Sequence, residues 1–174
     1  MRDLLTAVLL VAGLSSPALS VEHRIYGAIG VDLNVNTDEI YDLVDRLNYQ
    51  VGADFRLTDL VLVGPEFELQ HVTTTILIVD TSRTLWGLFG NVTFSPAKEA
   101  VAVPYGGLGF GFLRNDWSTT ILGLRIFEGS DTSPALQAFG GLKLARHYTI
   151  EFEFRRAFAD EAQTDVILNL GVRF

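Results

Sequence analysis

The chain has 174 residues, a formal net charge of −8 and no cysteine. This length suits one domain, the acidic balance argues against a nucleic-acid partner, whose phosphates need a basic face, and the lack of thiols excludes disulfides, thiol catalysis and thiolate metal sites. Beyond the N-terminal segment no apolar run reaches the roughly 18 residues of a membrane-spanning helix, whereas abundant Phe and Gly with scarce Pro favour long strands.

Residues 1–20 have the pattern of a cleaved signal peptide. Arg2 supplies the positive end and residues 4–14 the apolar core. Ser15, Ser16 and Pro17 interrupt that core, and Ala18-Leu19-Ser20 offers a small-x-small cleavage site. The mature domain is expected to span residues 21–174.

From there the sequence alternates with period two, which separates two faces of a strand but would scatter the same residues on a helix. The first predicted strand is 24–35, with Ile25, Gly27, Ile29, Val31, Leu33 and Val35 on one face. The second is 47–57, setting Tyr49, Val51 and Phe55 against Gln50, Asp54 and Arg56. The third, 60–72, sets Val61, Val63, Phe67 and Leu69 against Glu66, Glu68 and Gln70, and the fourth, 84–95, carries Trp86, Leu88, Val92 and Phe94 on one face. The fifth, 100–113, sets Leu108, Phe110 and Phe112 against Gly107, Gly109 and Gly111. The last three are 135–146, with Gln137 and Lys143 on the polar face; 148–158, with Glu151, Glu153 and Arg155; and 164–174, with Asp165, Asn169 and Arg173.

These strands exceed the usual five or six residues and match the nine to eleven or so of a tilted strand crossing a bilayer. Short turns at 58–59, 96–99 and 146–147 alternate with the longer segments 36–46, 73–83 and 114–134; the last connection, 159–163, is short. Segments 119–127 and 76–79 read as loops or as barrel wall projecting beyond the membrane. The expectation is a closed, up-and-down, antiparallel eight-stranded transmembrane β-barrel, with the short turns and both termini on the periplasmic side.

Alternation alone does not say which face is outside. A secreted soluble barrel of the lipocalin type, carrying a lipid or small ligand in an apolar cup, is the main alternative. Glycine on the polar face favours the inverted arrangement, since an eight-stranded lumen has little room for side chains. So do aromatics near the strand ends, which would form two interfacial belts: Phe55, Phe94, Tyr148 and Phe174 at the periplasmic ends, and Tyr49, Trp86, Phe112 and Phe158 at the others.

The chain stops in Val172-Arg173-Phe174. A final amphipathic strand ending in Phe resembles the C-terminal signature of Gram-negative outer-membrane barrels, and the whole mature chain is similar in pattern to the small barrels of the OmpX, OmpA and opacity-protein kind. The resemblance implies a bacterial outer-membrane location and contact with outer-membrane lipid and lipopolysaccharide. It also implies recognition of the Phe174 end by the barrel-assembly machinery.

With the apolar face outward, the lumen would hold Asp54, Glu66, Glu68, Glu151, Glu153 and Asp165 with Arg24, Arg56, Lys143, Arg155 and Arg173. Buried charges must pair, so the expected arrangement is a plug of salt bridges and hydrogen bonds, with Glu151 and Glu153 meeting Arg24 or Arg173. Paired carboxylates also serve acid–base catalysis, but the plug is favoured.

A lipid A-modifying enzyme is a further alternative, because the lipid A deacylase type uses a His and a Ser two apart. Here His71 and Thr73 have that spacing, with Thr in place of Ser and no obvious carboxylate partner on their face. No metal or cofactor site is expected, and the glycine run at 106–111 lacks the Lys-Ser/Thr and helix of a phosphate loop. The overall expectation is a non-enzymatic outer-membrane scaffold whose loops serve structural, adhesive or interaction roles. Among these loops, 36–46 is acidic and 114–134 is rich in apolar side chains.

Overall fold

Period-two alternation becomes eight strands in the computed structural model, which describes residues 23–33, 47–76, 78–96, 100–145, 147–158 and 164–174. They are β1 (His23–Asp32), β2 (Leu47–Arg56), β3 (Val61–Ile76), β4 (Val79–Phe94), β5 (Ala102–Ile121), β6 (Leu124–Leu144), β7 (Tyr148–Ala157) and β8 (Thr164–Arg173). Each pairs antiparallel with its sequence neighbour, and β8 returns to β1 to close the barrel. At the closing seam the amide of Phe174 donates to the carbonyl of Ile25 (2.9 Å) and the amide of Ile25 to that of Phe174 (3.2 Å). The predicted signal peptide and the connections 36–46 and 159–163 lie outside the described residues.

The apolar face is outward. Leu108 is 63% exposed and Phe110 58%, while the facing set of charged residues is buried. This inverts the soluble-carrier alternative, which needs its apolar side chains in the lumen.

Segments expected as the loops 73–83 and 114–134 are instead hairpins that continue β3–β4 and β5–β6. Their β-branched Thr, Val and Ile have strand propensity, so pairing persists above the level of Trp86 and Phe112, and Ile78, Leu122, Leu124, Ile126 and Phe127 are exposed near the tips. Of the two readings given to 119–127 and 76–79, projecting wall is the correct one. A β-bulge between Thr119 and Thr120 shifts the register near the tip. There Leu122 (φ 51°) and Gly123 (φ 78°) turn the chain in two residues, as a tight hairpin with both central residues left-handed requires.

At the opposite end the turns are short. Between β2 and β3 the amides of Leu60 and Val61 donate to the Thr58 hydroxyl at 3.3 and 3.0 Å, and Arg56 reaches the Asp59 carbonyl at 3.1 Å.

In the middle of β3, Pro65 has no amide hydrogen to offer. The β2–β3 register is continuous up to Gly52↔Glu66 and resumes at Phe55↔Val63. In that interval the strands approach so closely that a Cβ on Gly64 would lie 1.6 Å from the Ala53 carbonyl oxygen. Only glycine fits there.

Candidate functional site

The barrel presents two candidate regions, the lumen and the outward face just above the apolar band. All eleven charged residues expected in the lumen lie on the inward face, and nine of them are buried: Asp54, Glu66, Glu68, Lys143, Glu151, Glu153, Arg155, Asp165 and Arg173. Arg24 and Arg56 are half-buried at the end of the barrel that holds the short turns.

Toward that end Arg173 pairs with Asp54 at 2.5 Å. Its guanidinium lies over the rings of Tyr26 (4.8 Å) and Tyr105 (4.9 Å), a cation–π arrangement strengthened by desolvation. Lys143 donates to Ser95 Oγ at 2.7 Å and lies over Tyr105 at 5.2 Å.

Further up, Glu66 accepts from three neutral donors: Tyr26 (2.6 Å), Gln137 (2.7 Å) and Asn91 (3.1 Å). Glu153 accepts from Gln50 (2.5 Å) and Asn169 (3.1 Å), and Asn169 also donates to Glu151 at 3.4 Å. Higher still, Arg155 binds Asp165 through Nη2 (2.8 Å) and Nε (3.1 Å) and Glu68 through Nη1.

Of the expected meeting of Glu151 or Glu153 with Arg173, the ion pair forms elsewhere: Arg173 binds Asp54, while Glu153 accepts from Gln50 and Asn169, and Glu151 from Asn169. Strand stagger decides this, because it brings residues together across the lumen that are remote in sequence. The amides, Gln50, Asn91, Gln137 and Asn169, were not singled out from the sequence, although each lies on a polar face.

Two further features differ from expectation. The inner wall is not uniformly polar, since Leu85, Phe89, Leu113, Ala135 and Ala157 form an apolar cluster inside, with Leu62 and Ile167 also buried. The inward glycines make room less for long charged side chains than for amides and rings. A Cβ would strike Tyr26 at Gly52, Asn169 at Gly30 and Phe139 at Gly107.

The aromatics assigned to belts all lie outside. Tyr49, Trp86, Phe112 and Phe158 stand toward the projecting end, and Phe55, Phe94, Tyr148 and Phe174 toward the other. Outward Phe110, Phe152 and Phe154 lie at intermediate heights, so aromatic rings are not confined to two levels.

Above Trp86 the outward face changes character. Arg114, in register with Trp86, lies over its ring at 5.9 Å and pairs with Asp116 at 2.9 Å. One row higher, His71, Thr84, Asp116 and Ser130 stand side by side on four strands. His71 Nδ1 is 2.8 Å from the Thr84 hydroxyl and Nε2 is 3.2 Å from the Thr73 hydroxyl. The face thus does carry a carboxylate, one strand beyond Thr84, which the sequence pattern did not place there. Thr84 stands between it and the imidazole, so hydroxyls engage both ring nitrogens. Among the described residues no group of three or more His, Cys, Asp or Glu could hold a metal ion.

No family model and no curated protein matches the sequence. Solved structures do match the fold. The attachment invasion locus protein Ail of Yersinia pestis, solved with the heparin analogue sucrose octasulfate, has 15% identity over 90% of this chain and 100% of its own (TM-score 0.56). Neisserial surface protein A has 14% identity over 87% of this chain and 94% of its own (TM-score 0.56). The N-terminal β-barrel domain of Pseudomonas aeruginosa OprF has 12% identity over 89% of this chain and 100% of its own (TM-score 0.51). The protein is a closed eight-stranded antiparallel β-barrel. Its fold is that of the small outer-membrane barrels to which Ail and Neisserial surface protein A belong.

Proposed function

We propose that the protein is a non-enzymatic scaffold of the bacterial outer membrane, with a plugged lumen and an external surface for structural, adhesive or interaction roles. One observation carries this reading: outward apolar side chains surround a lumen packed with buried side chains, an apolar cluster beside charged and amide groups that bond across it. In the same reading residues 1–20 are removed on export and 21–174 form the barrel. The aromatic side chains near the strand ends anchor it among outer-membrane lipid and lipopolysaccharide, and the strand ending in Phe174 is what the barrel-assembly machinery recognises. His71 is a rim residue, since hydroxyls rather than a carboxylate orient its ring.

The test is mobility in SDS with and without boiling, on protein from the outer-membrane fraction, together with conductance in a planar bilayer. The expected result is a heat-dependent mobility shift, because a closed ring pairs its backbone groups all round, and no conductance of porin size. A soluble periplasmic protein without the shift overturns the membrane assignment, and a porin-sized conductance overturns the plug.

The outward face makes a separate prediction. Leu108, mid-strand on β5 between Val92 and Ala138, faces lipid. Leu108→Arg should destabilise the barrel by about 2–4 kcal/mol, as a cation at the bilayer midplane does, read from urea unfolding in lipid vesicles. A change within about 0.5 kcal/mol, ordinary for a water-facing site, would place that face in solvent.

A further inference from the structure

Above the apolar band the four-stranded wall made by β3–β6 bears an open cleft of about 570 Å³. This lies within the roughly 300–1,000 Å³ typical of small-ligand sites. Its lining is ordered by the strand register. Ser82, Ser118 and Glu128 form one row, and Thr84, Asp116 and Ser130 form the row below it. All six belong to the outward-facing set that continues Trp86, Leu88 and Phe112. Arg125 joins them across the bulge and holds Glu128 at 3.0 Å. Trp117 braces the wall: its indole lies across Gly129, its register partner, where a Cβ would come within 2.4 Å of the ring.

We propose that this cleft binds the hydroxyl groups of a saccharide. The assignment follows from which ligands its lining can satisfy. Four hydroxyls both donate and accept, two carboxylates accept at several lone pairs, and one guanidinium donates. Sugar hydroxyls offer the complementary mixture of donors and acceptors.

A sulfate or phosphate would meet Asp116 and Glu128 while the nearby cations, Arg114 and Arg125, are already paired with those carboxylates. An acyl chain would desolvate the polar lining without returning a hydrogen bond. Height agrees with the chemistry. The lower row stands two residues beyond Trp86 along β4, roughly 7 Å at strand rise, in a polar band between the apolar belt and the exposed Leu122, Leu124, Ile126 and Phe127 of the hairpin tip. In a bilayer-anchored barrel, sugars attached to the outer leaflet begin at that level, so the inference deepens and rests on the membrane scaffold reading.

The experiment uses the full mature protein in phospholipid nanodiscs, titrated with a neutral hexose oligosaccharide and followed by saturation-transfer NMR. Sucrose octasulfate serves as the anionic comparator. Saturation of the oligosaccharide protons is expected, with binding about tenfold weaker in Ser118→Phe, which fills the cleft, and in Asp116→Asn. Both variants should keep the heat-dependent mobility shift, which reports an intact barrel independently of the cleft. Competition from intact lipopolysaccharide in the same disc assigns the sugar to neighbouring lipid; its absence assigns it to a free glycan. No saturation, saturation unchanged in Ser118→Phe, or tighter binding of sucrose octasulfate overturns the proposal. Loss of the mobility shift in the unaltered protein overturns the scaffold reading instead.

Discussion

Replacing Arg155 with methionine should lower the unfolding free energy by about 3–5 kcal/mol, the range observed when one member of a buried ion pair is removed. Arg155 is 1% exposed and serves two carboxylates on different strands, Glu68 on β3 and Asp165 on β8. Methionine retains much of the aliphatic volume, so the loss comes mainly from two anions left buried without their cation. The size of the loss separates a network that closes the lumen from charges that water can solvate. Urea unfolding in lipid vesicles, with the folded fraction read from mobility in SDS, measures it. Neutralising both partners as well, with Glu68→Gln and Asp165→Asn, should recover part of the lost stability, because the two carboxylates that Arg155 binds are then neutral. A loss below about 1 kcal/mol for Arg155→Met, the range of exposed pairs, would mean that the lumen is wet enough to solvate both carboxylates and that the plug fails.

The second large effect concerns a single methyl group. Gly64→Ala would place a Cβ 1.6 Å from the Ala53 carbonyl oxygen and 2.7 Å from its carbon. The obstacle is backbone rather than a side chain that could rotate away, so β2 and β3 must separate where Pro65 has already removed one donor. Destabilisation of about 3 kcal/mol or more is expected, the upper part of the overpacking range, with a matching fall in the yield of heat-modifiable barrel. Gly90→Ala is the control, since its nearest neighbour, the Phe110 carbonyl oxygen, is 3.9 Å away. Equal behaviour of the two variants would show that the close approach at Gly64 does not constrain the barrel.

Strands β2, β7 and β8 were legible in the sequence to within a residue or so at their ends. In them a clean alternation is bounded by turns, and one face is apolar throughout. β3 to β6 were legible only up to the height of Trp86 and Phe112, because hydrophobicity marks where lipid ends and not where pairing ends. Which residues line the lumen could be read from alternation alone, but not which of them touch. The bond from Arg155 to Glu68 joins residues 87 apart in sequence, and the stagger of the whole barrel sets it. Leu85 and Phe89 were harder to place, since the residues between and beside them on the other face, Trp86, Leu88 and Gly90, are apolar too, and a strand apolar on both sides carries no contrast. The outer cleft was not legible, because it depends on three strands continuing to pair above the apolar band.

The order in which the strands pair has a consequence for how the chain can assemble. Every pairing but one joins neighbours in sequence, so each can form by closing a short loop, and the logarithmic growth of loop entropy with length scarcely penalises them. The exception is the joint between β1 and β8, where residue 26 meets residue 173. The long-range part of the conformational search is concentrated there, since closing the ring adds this one pairing to seven between sequence neighbours. Long hairpins β3–β4 and β5–β6 contain the most local contacts, the kind that form fastest, and they lie opposite the joint. Local pairing thus dominates one side of the barrel, and the single long-range joint, which includes the Ile25–Phe174 bonds, lies on the other.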